Sequence, residues 1–510
     1  MLDDRKEKSH YKVTGTLIVR NTAFNITGQI LPGIIGIIAM PFVIRGLGTE
    51  AFGILSLAWL VVGYFALFEL GMGKATTKFA GEYIGQKKYD ELQGLVWTSL
   101  AMQIFLGILA GAFLTAISPF LAHKVFKISP LLVEDAINVF RLLSISLPVI
   151  MSTTTLQGLL EAGQRFDLVN KITIPANSLN FAIPLFCVLL NINLISIVFF
   201  LVLSRCAVFF VFLIISIRVF PLLKGNFIDL KKVKVLFGFG GWVAISNVLI
   251  PLLSYLERFL IAALLSAKAL AYYTPPYEII SRIPIIPSSL TRVLYPIFSG
   301  YSVTNENKKI EALALRSLKY ILIIMIPLSM LLITFAGDIL YFWLGDEFAK
   351  QSTFLFQILV AAVFLNCLAQ IPFILLYGLG RPDIKAKFDM LEVPLFLGLS
   401  YGFITHLGLN GAAISKFIIA LVDTLLLFWA AKKIGAFSIS FNSNNGILKK
   451  LMFGMVIAFL SVILCLFINN FIIRIAVIAF YLGFYILGIW CYVMDDIDKS
   501  IVYRFVAKVH

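Results

Sequence analysis

Of the charged residues that lie inside largely apolar stretches, eleven have types and spacings that bear on the chemistry open to the chain. The cations are Arg141, Arg205, Arg258, Arg282, Arg292 and Lys416, and the acids are Glu69, Glu257, Glu278, Glu392 and Asp423. Glu278 and Arg282 stand four apart in "YEIISRIP", the favourable order for a helical ion pair, and Lys416 and Asp423 stand seven apart on one face. Both couples read first as structural pairs. Arg141, Arg205 and Arg292 have no close acidic neighbour in the sequence. A guanidinium is a planar fork that holds phosphate oxygens bidentately, so Arg141, Arg205, Arg258, Arg282 and Arg292 are the candidate anion-binding residues. Glu257, Glu278, Glu392 and Asp423 are candidates for ion coupling or structural pairing. Glu257 and Arg258 are adjacent, and adjacent helical residues point about 100° apart. One of them is expected to face an interior cavity and the other a neighbouring helix.

No catalytic, metal or cofactor site is expected. His10, His123, His406 and His510 fall in loops or termini without ligand spacing, and the five cysteines are scattered singly. "GLGTEAFG" follows an apolar run and not a strand, and "GMGK" lacks the first glycine of a phosphate loop because Phe68 stands there.

The elements that must position these charges are set by composition. Of 510 residues 60% are hydrophobic and 14% charged, against about 25% charged in a soluble domain. A helical crossing of a ~30 Å hydrocarbon core takes about 20 residues. Fourteen such runs lie at about 17–43, 54–72, 92–119, 133–160, 168–190, 193–217, 236–264, 269–299, 317–344, 352–378, 384–405, 409–431, 447–468 and 471–493. The fold class is therefore an all-α polytopic membrane protein. The net charge of +15 does not imply nucleic-acid binding, because its distribution follows the membrane. On one side of this topology the loops hold only Arg45, Lys124, Lys127, Lys268, Lys350 and Arg474, while the other side carries most of the 42 Lys and Arg. The positive-inside rule then puts both termini in the cytoplasm. The longest outer loop is only about a dozen residues, too little for an outer-face catalytic domain.

Sparse matches at a shift of 219 align "QILPGIIG" with "VLIPLLSY", so Pro32 falls on Pro251, and set Phe79 on Phe298 and Gly81 on Gly300. Spans 1–6 and 7–12 read as two copies of one unit. Six is even, so the repeat is parallel, about an axis along the membrane normal. The expected organisation is an N-lobe at 1–219, a C-lobe at 227–434 and an appended helix pair at 446–494.

The stretches "RGLGTEAFGILSLAW", "GFGGWVAISNVLIPLLSYLERFLIAALLSAKALAYYTPPYEI" and "RVLYPIFSGY" resemble the polysaccharide-biosynthesis (Wzx-type) flippases of the multidrug, oligosaccharidyl-lipid and polysaccharide exporter superfamily. The resemblance runs over nearly the whole chain. It implies a prokaryotic plasma-membrane protein that moves a polyprenyl-pyrophosphate-linked oligosaccharide to the outer leaflet by alternating access. It further implies membrane lipid and other polysaccharide-assembly proteins as partners, no nucleic acid and no cofactor. A peptidoglycan-precursor flippase and a cation-coupled multidrug antiporter are the alternative readings.

Overall fold

The computed structural model describes residues 15–66, 72–163, 165–225, 255–291, 307–435 and 470–494. It also describes short pieces at 228–229, 232–233 and within 454–468, and the single residues 294, 298 and 499. All elements among these residues are helical. They run α1 Gly15–Leu47, α2 Thr49–Ala66, α3 Met72–Gly85, α4 Tyr89–Phe120, α5 Val133–Ala162, α6 Phe166–Leu189 and α7 Leu194–Val219. Next come α8 (255–264), α9 Ala267–Ile280 and α10 (285–291), then α11 Asn307–Thr334, α12 Ala336–Leu344, α13 Asp346–Gly378, α14 Pro382–Lys433 and α15 Phe471–Gly488. Eight described helices are long and apolar enough to cross a membrane. The chain divides into two compact units, Met1–Pro275 and Pro276–His510.

Local sequence explains the boundaries. Gly48 takes φ +79°, a conformation glycine adopts without strain, and closes α1. Asn193 starts α7 by accepting from the Ser196 amide at 3.0 Å, and Asn470 starts α15 through the Ile472 and Ile473 amides. α14 is two helices broken at Gly408 (φ 61°, ψ −138°). Its halves lie back to back, with Ser400 Oγ bonded to Ser415 Oγ at 3.2 Å.

In the first unit α5 packs against α2, α3, α4 and α7. Small residues permit the closest approaches. A Cβ on Gly107 would overlap the Pro148 backbone, and one on Gly111 would sit 2.7 Å from the Ser144 carbonyl oxygen. Between apolar helices this close contact replaces the hydrophobic effect as the source of attraction. Buried hydroxyls add to it: Thr76, Ser99 and Thr155 join α3, α4 and α5 at 3.0 and 2.9 Å. The connector after α7 is strapped over the ends of α3 and α4. Gln93 donates to the Gly225 carbonyl at 2.6 Å, Thr98 bonds both to and from Asp229, and Lys232 pairs with Glu91 and donates to the Tyr83 hydroxyl.

In the second unit α13 is central, packed against α11, α12 and α14. α15 is fastened at three levels. Arg474 makes a bidentate pair with Asp338 at 2.8 and 2.9 Å, Tyr481 donates to the Gly454 carbonyl at 2.9 Å, and Tyr485 donates to the Ile323 carbonyl at 3.3 Å.

Several expected spans are divided. Of the run at 54–72 the structure describes α2 as far as Ala66, and Met72 opens the next described helix, Met72–Gly85. The run at 269–299 is broken by turns at 281–284, where Pro284 and Pro287 withhold backbone donors. The run at 317–344 is α11 and α12, parted at Phe335. The two runs at 384–405 and 409–431 are the halves of α14. Pro251 and Gly300 lie outside the described residues.

Candidate functional site

The open surface of α5 differs in composition from those of α4 and α7. Down it run Glu134, Asn138, Arg141, Ile145, Val149, Thr153, Gln157 and Glu161 at steps of three or four residues, all exposed or half-buried. On α4 and α7 many exposed positions are apolar, such as Phe105, Ile108 and Phe113 on α4 and Phe199, Leu203 and Phe210 on α7. Phenylalanine and isoleucine suit lipid contact. A stripe carrying arginine, glutamates and amides suits water.

Arg205 projects from α7 towards the same helix. Its Nη1 donates to Ser146 Oγ at 3.4 Å, while the Ser146 hydroxyl donates its proton to the Leu143 carbonyl at 2.7 Å. Among the described residues no carboxylate lies within ion-pair distance of Arg205 or of Arg141. Eleven residues into α7, Arg205 stands about 16 Å along the helix, the depth of the bilayer midplane. A cation at that depth with one hydroxyl partner lacks a counter-charge among the described residues.

The second unit gathers the opposite kind of site. Lys385 Nζ lies 2.8 Å from Asp389, 2.6 Å from Asp423 and 3.6 Å from Glu392. All four side chains are more than four-fifths buried, and Glu392 Oε1 has no hydrogen-bond partner among the described residues. Three carboxylates thus share one ammonium. The expected Lys416–Asp423 pair does not form: Asp423 turns across the α14 hairpin to Lys385, and Lys416 stacks over the Tyr277 ring at 4.4 Å. The cause is geometric, since the fold-back at Gly408 brings the first half of α14 within reach of Asp423.

Glu278 and Arg282 do approach each other, at 3.5 Å, with both side chains part-exposed. Glu257 is fully buried and Arg258 half-buried on α8. Arg292 and Glu69 lie outside the described residues. Three participants were missed in the sequence. Ser146 carries no signal in an apolar run. Lys385 and Asp389 do carry one, since Lys385, Asp389 and Glu392 fall at i, i+4 and i+7 on one helical face.

The comparisons with known proteins agree with this architecture. Residues 18–302 match the family described as "Polysaccharide biosynthesis protein". The chain is 30% identical to the "Putative O-antigen transporter" of Shigella flexneri over 81% of its own length and 97% of that protein. It is 25% identical to the "Probable lipid II flippase MurJ" of Borreliella burgdorferi over 41% of each chain. Among solved structures it resembles a lipid II flippase in an inward closed conformation, with a TM-score of 0.66 at 17% identity, covering 95% of this chain and 100% of that one. It also resembles an inward-facing multidrug resistance transporter, with a TM-score of 0.67 at 17% identity over 81% and 98%. The fold is that of the multidrug, oligosaccharidyl-lipid and polysaccharide exporter superfamily, and the homologues are transporters. This multi-pass membrane chain belongs to the polysaccharide biosynthesis protein family.

Proposed function

We propose that the protein flips a polyprenyl-pyrophosphate-linked oligosaccharide from the cytoplasmic to the outer leaflet for surface polysaccharide biosynthesis. The carrying observation is Arg205, a membrane-depth guanidinium whose hydrogen-bond partner among the described residues is a serine hydroxyl and not a carboxylate. Moving an isolated ion into a medium of dielectric near 4 costs on the order of 20 kcal/mol, so a site for a pyrophosphate needs cations held in place beforehand. Arg205, with Arg141 on the polar stripe of α5, supplies them. Arg258, Arg282 and Arg292 are proposed to serve the same anion. The similarity to an O-antigen transporter points to the same load.

The lipid part needs a different surface. Within the second unit an apolar cavity of about 400 Å³ is walled by Ile326, Met330, Phe364, Phe417, Met455 and Val456, a lining suited to an isoprenoid chain and to no charged group. Transport proceeds by alternating access between the two sequence repeats, with the glycan and pyrophosphate in water and the chain in lipid. Cytoplasmic termini follow from the loop charges. With the cytoplasm negative, the membrane potential assists outward movement of anions by roughly 2.3 kcal/mol per charge per 100 mV. The Lys385–Asp389–Glu392–Asp423 group is the proposed coupling site, since its carboxylates outnumber its cation.

The test is surface-glycan export in cells carrying Arg205→Gln, read beside membrane abundance. Loss of export at normal abundance is expected; normal export would overturn the reading. The same anion chemistry suits a peptidoglycan precursor. The lipid-linked intermediate that accumulates in cells lacking the protein separates the two substrates.

A further inference from the structure

The turn that follows α4 is laced to two other helices at one end of the first unit. α4 continues through a π-helical turn, Leu121–Val125, and Phe126 then buries its ring between Phe140 of α5 and Phe259 of α8, at centroid distances of 6.0 and 5.5 Å. The next residue, Lys127, donates from Nζ to the Leu264 carbonyl at 2.6 Å. That carbonyl belongs to the last turn of α8, where helix geometry leaves acceptors without amide partners and the dipole favours a cation. Two residues on, the Ser129 amide donates to Glu50 in the first turn of α2 at 3.2 Å. α2 in turn meets the start of α9 through a bare backbone contact: a methyl on Gly53 would overlap the Ala267 carbonyl. Further along, a methyl on Gly63 would lie 2.5 Å from the Tyr255 ring.

Arg45, Lys124, Lys127 and Lys268 all mark this end as the outer one in the charge-derived topology. The shift of 219 also places Gly48 beside Ala267, so the turn before α2 and the turn before α9 are equivalent positions of the two repeats. The contact at Gly53 therefore joins the start of α2 to the start of α9, its counterpart in the other repeat, at non-equivalent residues.

We propose that Lys127 and Gly53 form an outer latch, which holds the exit closed and must part before the transported head group leaves. This rests on the alternating-access reading above. Phe126 fills the seam, Lys127 closes it reversibly because its stem is exposed, and Gly53 sets how tightly the starts of α2 and α9 meet.

The experiment places a reporter cysteine at Asn138, in the outer third of α5, and measures its labelling from outside whole cells by an impermeant maleimide, corrected for the same chain without the reporter. Lys127→Met removes the cap and is expected to raise the labelling rate about threefold, in line with a partly exposed charge at a helix end. Gly53→Ala wedges the contact and is expected to raise it about tenfold. Lys127→Arg keeps a cationic donor and should label at the parent rate. Equal labelling in the parent, Lys127→Met and Gly53→Ala would overturn the latch. Should Gly53→Ala fail to reach the membrane, Lys127→Met against Lys127→Arg decides alone. The readout does not depend on the substrate: increased labelling with glycan export unaffected by deleting the protein sinks the flippase reading and leaves the latch standing. Unchanged labelling with export abolished by the deletion does the reverse.

Discussion

The Tyr485 hydroxyl donates to the carbonyl of Ile323 at 3.3 Å, and Ile323 is the residue whose helical partner is removed by Pro327. A proline has no N–H, so the carbonyl four residues earlier in α11 loses its intrahelical donor. In a membrane no water replaces it. The C-terminal helix therefore completes the hydrogen bonding of α11 at its proline.

Tyr485→Phe should cost about 1 kcal/mol of stability, the lower part of the range for a buried acceptor left unmade, because the bond is long. In a Pro327→Ala background, where residue 327 again offers an N–H, the same substitution should cost markedly less. Thermal unfolding of the four purified variants gives the coupling directly. Equal costs in both backgrounds would show that the hydroxyl does not serve this carbonyl.

Arg205→Lys keeps a positive charge and loses the planar fork. Export of surface glycan should fall by tenfold or more at unchanged abundance if two phosphate oxygens are gripped together, since a point charge cannot reproduce bidentate geometry. A lysine variant with full export would mean that charge alone suffices.

Lys385→Met strands three carboxylates below the membrane surface and should destabilise the protein by about 3–5 kcal/mol, as expected when one partner of a buried ionic group is removed. Adding Asp423→Asn should recover part of that loss. Asp423→Asn by itself should fold, and its transport should respond less steeply to external pH or sodium than the parent does. Membrane abundance reports the first effect and a flux assay in vesicles the second.

The strap after α7 carries a pH signature. Burial works against the Lys232 ammonium, but Glu91 and the Tyr83 hydroxyl outweigh it and leave the pKa above the ordinary lysine value. A raised pKa stabilises the folded strap fully below the unfolded value of about 10.4 and loses that contribution as pH rises through the folded value. Proteolysis of the connector should be flat from about pH 6 to 9 and accelerate only in strong alkali. Lys232→Met should be cleaved faster throughout the neutral range and lack the alkaline step.

Apolar run length made much of the fold legible. The runs at 168–190 and 193–217 are α6 and α7 to within two residues at each end. Where a span is divided by geometry and not by polarity, the sequence misleads: Phe335 parts α11 from α12 without any change in composition. Helix Met72–Gly85 was hidden in the same way, since its glycine and threonine content reads as a loop until Gly73 and Gly158 are seen to meet. For the charges, spacing within a helix was enough for Glu278–Arg282 and failed for Asp423. Its partner is 38 residues away, and that pairing exists only because of where the hairpin turns.

That turn also bears on how the chain is made. Between the halves of α14 there is only the break at Gly408, and Gly411 lies so close to the Phe403 carbonyl that no side chain fits. No segment between the two halves is long enough to stay behind while the first half enters the bilayer. The pair is expected to insert as one object, with Lys385, Asp389, Glu392 and Asp423 already facing each other. The neutralising contact is then a condition for membrane entry as much as a feature of the finished transporter.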